Sequence, residues 1–238
     1  MARTHNIRLQ VRVAIAAVIA AVLLPLAGRA LAETSVAVTH AKSADGSLDA
    51  TLDALQHHYE TTRSFSAKFT EQIAAVGAPV RSRQGTVSFL RPGRMRWNFE
   101  SPNKELLVSN GHTVFSYDPG LNQVVETPLK DALRAPGATE FLLGAGNIRK
   151  DFIASAPKSP LADGLTYVTL RPRQGGNTIE LGMEPKSGDI RRLKIVDQLG
   201  NVTSLEFSDI RDNVEITDSE FDFTPPAGAD IVAPAQPR

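Results

Sequence analysis

Gly85-Thr86-Val87-Ser88-Phe89-Leu90-Arg91-Pro92-Gly93-Arg94-Met95-Arg96-Trp97-Asn98-Phe99-Glu100 decides the fold. Val87 and Phe89 fall on one side of an extended segment. After the Arg91-Pro92-Gly93 corner, Met95, Trp97 and Phe99 alternate strictly with Arg94, Arg96, Asn98 and Glu100. A period of two is the mark of a β-strand with one apolar and one wet face. Proline and glycine between two such runs turn the chain.

The same pattern extends in both directions. Phe65, Ala67, Phe69, Glu71 and Ile73 alternate with polar residues, and Gly77-Ala78-Pro79 separates them from the strand over 85–90. Residues 106–108 and 113–117 flank Asn110-Gly111, a strong hairpin signal. Residues 122–127 supply the next strand. Further strands are expected at 166–171, 178–182, 190–196, 202–208 and 221–223, with Asp197 to Asn201 turning between two of them. Leu48, Leu52, Leu55 and Tyr59 instead follow helical spacing, with Ser47 as the expected cap. Short helices are expected at 129–133, at 140–143 behind Thr139, and at 148–152 behind Asn147. Helices this short are marginal in water and must lie on something. The picture is mainly β: one strongly curved antiparallel sheet, a helix before it and short helices inserted midway. Its apolar face must be covered by a second sheet or by the helices.

The chain has 238 residues, 26 Lys plus Arg, 26 Asp plus Glu, and no Cys. Residues 1–32 read as a secretory signal peptide. Arg3, Arg8 and Arg12 precede an apolar run over 13–27, and Ala30-Leu31-Ala32 is an A-x-A cleavage site. The run is short for a membrane span. Residues 33–46 read as a disordered leader, 47–228 as the folded domain and 229–238 as a flexible tail. Beyond residue 32 the chain carries 22 basic and 26 acidic side chains. That balance argues against nucleic acid as a partner. The lack of Cys excludes thiol catalysis, disulfides, Cys-based metal sites and lipidation on an N-terminal cysteine.

Motifs for chemistry are scarce. No nucleophile elbow, zinc-protease helix or P-loop is present. Gly144-Ala145-Gly146-Asn147-Ile148-Arg149 resembles half of a dinucleotide loop, lacks its preceding strand and reads as a connector. His57 and Glu60 have metal-compatible spacing, but adjacent His57 and His58 point to different faces and read as solvated. His112 follows a turn without a catalytic companion. An enzyme is not expected, and neither is a cofactor or a metal. The apolar strand face has two readings: a packed core, the commoner case, or a cavity for something apolar. Arg91, with Arg81, Arg83, Arg94 and Arg96 nearby, is either a solvated edge charge or a latch whose five donors reach carbonyls on a lid. A lipid hydrolase and a protein-binding or structural β module with a filled core stand as alternatives to a carrier.

Arg63-Ser64-Phe65-Ser66-Ala67-Lys68-Phe69-Thr70-Glu71-Gln72, then Gly85-x-Val87-x-Phe89-x-Arg91-Pro92, Trp97, and Glu105-Leu106-Leu107-Val108-Ser109-Asn110-Gly111 together resemble the periplasmic outer-membrane lipoprotein carrier family, LolA. Phe221-Asp222-Phe223-Thr224-Pro225-Pro226-x-Gly228 resembles the family's ending. The resemblance implies an incompletely closed, strongly curved antiparallel β-barrel with a lid of short α-helices over an apolar cavity. It implies a monomeric carrier of triacylated lipoproteins, loaded by an inner-membrane ABC transporter and unloaded by an outer-membrane lipoprotein receptor. Arg91 corresponds to the family's lid latch. The acyl-chain cavity falls to Phe89, Met95, Trp97, Phe99, Phe115, Phe141 and Leu142. Met95 stands where better-studied members carry Phe, an apolar and adaptable replacement.

Overall fold

The computed structural model describes residues 45–132, 147–157 and 161–232. The signal peptide, most of the leader, the helix behind Thr139, the Gly144 connector, Phe141 and Leu142 lie outside the described residues. Helix α1 (Asp45–Thr61) begins two residues before the expected cap and leads into β1 (Ser64–Ala74). A meander follows through β2 (Arg81–Leu90), β3 (Arg94–Ser101), β4 (Glu105–Asn110), β5 (Thr113–Asp118) and β6 (Gln123–Pro128). Short helices α2 (Leu129–Ala132) and α3 (Ile148–Asp151) precede β7 (Phe152–Ser155), β8 (Thr166–Pro172), β9 (Thr178–Met183), β10 (Ile190–Val196) and β11 (Val202–Asp212). A 3₁₀ turn (Asp218–Phe221) and a three-residue strand, β12 (Asp230–Val232), end the described chain.

Among the described residues, twelve strands form one sheet in the order β12-β6-β5-β4-β3-β2-β1-β11-β10-β9-β8-β7. The expected strongly curved, incompletely closed antiparallel barrel is not what forms. The sheet is open and not strongly curled, and its edges, β7 and β12, do not pair with each other. The pairing is also not wholly antiparallel, because β12 runs parallel to β6. Helices cover the apolar face in place of closure. Leu52, Leu55 and Tyr59 of α1, Leu129 and Ala132 of α2 and Ile148 of α3 join one core with Phe69, Trp97, Phe99, Leu181 and Phe207. This is the second of the two ways a one-sided sheet can be kept dry.

Local chemistry fixes the helices. The Asn147 side chain caps α3 by accepting from the Lys150 N–H, while Asp151 accepts from the Asn147 N–H at 2.7 Å. Gln56 of α1 accepts from the Ile148 N–H at 3.0 Å, and Arg149 bridges Asp49 and Asp53 of α1. The two helices are therefore stitched into one cover.

One expectation for a short segment fails, and two others differ in extent. The alternation over 221–223 predicts a strand, yet Phe221 ends the 3₁₀ turn. The helix expected behind Asn147 forms with that cap over Ile148–Asp151, one residue shorter than expected because Phe152 opens β7. The composition beyond Ala229 predicts a loose tail; Asp230–Val232 of it form β12, and the residues after 232 lie outside the described ones. The C-terminal segment crosses the outer face of β3–β6 as a strap. Phe221 is fully buried there, Phe223 packs on Phe115 and Tyr117, and Arg96 donates to the Glu220 carbonyl.

Gly85 sits at a register irregularity between β2 and β3. A Cβ there would stand 1.8 Å from the Asn98 carbonyl oxygen. Strand backbone cannot yield that far without breaking pairing. Gly85→Ala is expected to cost about 3 kcal/mol, the upper end for overpacking, read as a lower urea midpoint at unchanged slope.

Candidate functional site

The apolar face carries a continuous row of rings. Trp97, 2% exposed, is the hub. Its ring centroid lies 4.8 Å from Phe69, 5.9 Å from Phe89 and 6.4 Å from both Phe99 and Phe207. Phe65 extends the row, at 6.0 Å from Phe89 and 5.8 Å from Phe207. Most of these pairs are tilted or edge-to-face, geometries favoured by the ring quadrupole. Strand register makes the row. Phe65 lies opposite Phe89, Val87 opposite Trp97, and Phe89 opposite Met95.

A hollow of about 110 Å³ opens at the Phe65–Phe89 end. Leu181 of β9, Ile190 and Leu193 of β10 and Phe207 of β11 wall it, and His58 and Tyr59 of α1 stand over it. Arg91 is at its rim. The guanidinium lies over the Tyr59 ring, 4.2 Å from the centroid, a cation–π contact. Burial pushes this guanidinium below its ordinary value, and Tyr59 opposes that shift. The hairpin after β4 steadies the same end. Asn110 accepts from the His112 and Thr113 N–H groups at 2.9 Å, and the Ser109 hydroxyl donates to the Gly93 carbonyl at 2.7 Å.

The opposite end of the row is closed by charge. Arg83 lies over the Phe99 ring at 4.2 Å. It donates from Nε to Glu71 at 2.6 Å and from Nη1 to Glu105 at 3.3 Å. Glu71 is fully buried. Burial pushes both carboxyls above the ordinary 4.5, against the pull of Arg83.

Of the residues singled out from sequence, Phe89, Met95, Trp97 and Phe99 share this face, with Arg91 at the mouth. Phe115 does not. It lies opposite Val108 on the outer face and packs on Phe223 under the strap. Phe141 and Leu142 lie outside the described residues. Sequence reasoning missed Tyr59, Phe65, Phe69, Leu181, Ile190, Leu193 and Phe207 as neighbours of the site. Tyr59 is visible as the last member of the helical stripe, and Phe207 as a member of the Leu205–Phe207 alternation. Neither signal says that the two meet.

The family description "Outer membrane lipoprotein carrier protein LolA" matches residues 60–224. This chain belongs to the LolA family. An outer-membrane lipoprotein carrier protein of Methylibium petroleiphilum is 34% identical over 186 residues, covering 76% of this chain and 89% of the relative. One of Cupriavidus taiwanensis is 32% identical over 188 residues, covering 77% and 88%. An uncharacterized conserved protein of Thermus thermophilus shares the fold, with a TM-score of 0.50 at 15% identity over 79% of this chain and 99% of that one. Family membership gives this LolA-family chain a periplasmic, secreted location and a general carrier role. It is a transport protein and not an enzyme. Among the described residues no helix is long and apolar enough to cross a membrane.

The charged end gives a pH prediction. The folded protein holds the Glu71 and Glu105 protons more tightly than the unfolded chain does, so stability falls as pH rises. Their contribution is complete below 4.5 and is lost as pH climbs through the raised values. Between pH 4.5 and neutrality, the urea midpoint of Glu71→Gln is expected to fall less than that of the unchanged protein. An equal fall would remove Glu71 as the source.

Proposed function

We propose that this chain takes lipoproteins by their acyl chains from an inner-membrane ABC transporter, shields the chains beneath α1 and its neighbouring helices, and delivers them to an outer-membrane receptor. The observation that carries the proposal is the aromatic row ending in an apolar hollow at whose rim Arg91 stacks on Tyr59 of the roof. Residues 1–32 act as the cleavable signal, and 47–228 form the carrier domain.

Energetics demand shielding. At about 0.8 kcal/mol per methylene, three chains of roughly 15 methylenes would cost about 36 kcal/mol to expose to water. Moving them from bilayer to protein exchanges one apolar surrounding for another and is nearly balanced. The hollow of about 110 Å³ is smaller than the ~150 Å³ cavity that takes up a single benzene. The geometry therefore corresponds to a closed form. Cargo enters only when α1 lifts and the rings of Phe65, Phe89 and Phe207 part. No part of this step needs a nucleotide, so the driving energy belongs to the transporter.

Arg91 is the latch in this reading, acting on Tyr59. A cation–π contact of about 1 kcal/mol biases the closed form by roughly fivefold. Arg91→Leu is expected to keep the fold and to take up a fluorescent fatty-acyl probe about fivefold more readily, while hand-off to membranes bearing the receptor becomes inefficient. Phe65→Glu and Phe89→Glu, half-buried in the wall of the hollow, should abolish saturable uptake while their far-ultraviolet circular dichroism stays that of the unchanged protein. A permanently filled core predicts no uptake even by the unchanged protein, and that result would end the carrier assignment.

A further inference from the structure

His58, in the last turn of α1, meets two carboxylates brought from elsewhere in the fold. Asp212 ends β11, and Asp189 lies in the turn between β9 and β10. His58 Nε2 is 3.6 Å from Asp212 Oδ2. One ligand atom from each of the three residues lies within 4.8 Å of the other two. Burial raises the Asp212 carboxyl above its ordinary value, and Asp189 is close enough for its charge to raise it further.

Two facing carboxylates are reconciled either by a shared proton or by a positive charge between them. The charges that bear on Asp212 are His58 and Asp189, with no lysine or arginine among them. Asp212 Oδ1 is shut off from solvent and has no hydrogen-bond partner among the described residues. Such an atom calls for a ligand.

We propose that His58, Asp189 and Asp212 form a binding site for a divalent transition metal of the zinc type. One imidazole nitrogen and two carboxylate oxygens are a donor set suited to zinc, with a fourth position left to water. A tetrahedral zinc with ligands about 2.1 Å away holds them about 3.4 Å apart. The His58–Asp212 pair is already near that spacing, and Asp189, within 4.8 Å of both, would close in by at most about 1.4 Å to complete it. Calcium, which takes six to eight oxygens, is a poor match.

The backbone is arranged for convergence. Gly188 adopts φ +79°, and a Cβ there would stand 3.3 Å from His58 Cβ. A glycine thus lets the turn carrying Asp189 lie against the helix. Asn213 pins the other ligand strand, donating from its N–H to the Ser64 carbonyl and accepting from the Arg63 N–H, both at 2.8 Å. A metal here would tie the end of α1 to β9–β10 and β11, beside the Tyr59 on which Arg91 stacks.

The test is zinc titration of the untagged protein lacking residues 1–32, by calorimetry and by competition with a fluorescent zinc chelator. One zinc per chain is expected, with a raised melting temperature. His58→Gln, Asp189→Asn and Asp212→Asn should each weaken binding at least tenfold, about the loss seen even for outer-sphere partners of metal ligands. His57→Gln should leave it unchanged. Metal-free melting of each variant confirms that it is folded. Cobalt substitution should give the intense visible absorption of a four-coordinate site. Absence of zinc binding by the unchanged protein overturns the site and leaves the two aspartates sharing a proton. Equal affinity in the unchanged protein and all three ligand variants overturns it as well.

Discussion

The apolar face of a single open sheet must be kept from water without the sheet closing on itself. Every other feature depends on how that is done. The face is too large and too aromatic to be left wet, and the strands at its two edges do not meet. Helices supply the cover, and they are held by side-chain contacts rather than by a backbone ladder. Gln56 and Arg149 join α1 to α3, and Arg91 joins α1 to the corner between β2 and β3. Contacts of this kind are each worth about a kilocalorie or less when exposed. A cover made of them is firm in sum and yields in steps.

The ring row beneath is bounded by two arginines of different character. Arg83 is buried, gripped by two carboxylates and tied to Phe99. Removing one partner of a buried pair leaves an uncompensated charge and is strongly destabilising, so that end is fixed. Arg91 is half-buried at the other end and rests on Tyr59. The two ends of the row thus differ in burial, and the proposed entry of cargo at the Arg91 end rests on that difference.

Much of this is legible in the residues themselves. Long alternations such as Met95-Trp97-Phe99 name both their strand and their inner face, because each extra repeat makes another period less tenable. The α1 stripe ending at Tyr59 is equally plain. Short segments fail for the converse reason. Phe221-Asp222-Phe223 satisfies a period of two over too few residues to exclude a turn, and Phe152 fits the end of a helix as well as the start of β7. Phe115 falls on the wrong face because alternation fixes only relative sides. Which side is inner depends on register with Val108 and on a strap arriving from more than a hundred residues away. Closure fails on a global quantity, since nothing local states whether two edges will meet. His58 reads as solvated because Asp189 and Asp212 join it only through tertiary structure.

The C-terminal strap divides the sheet mechanically. Over β3–β6 both faces are packed, with Val108, Val124 and Phe221 fully buried on the outside and Trp97 and Leu107 within. Across β9–β11 the outer face presents Glu180, Arg192, Lys194 and Glu206 around an open groove. A layer clamped on both sides bends less than one clamped on a single side. If acyl chains swell the interior as proposed, the unstrapped half would take up the strain, β3–β6 serving as an anvil and β9–β11 as a leaf spring.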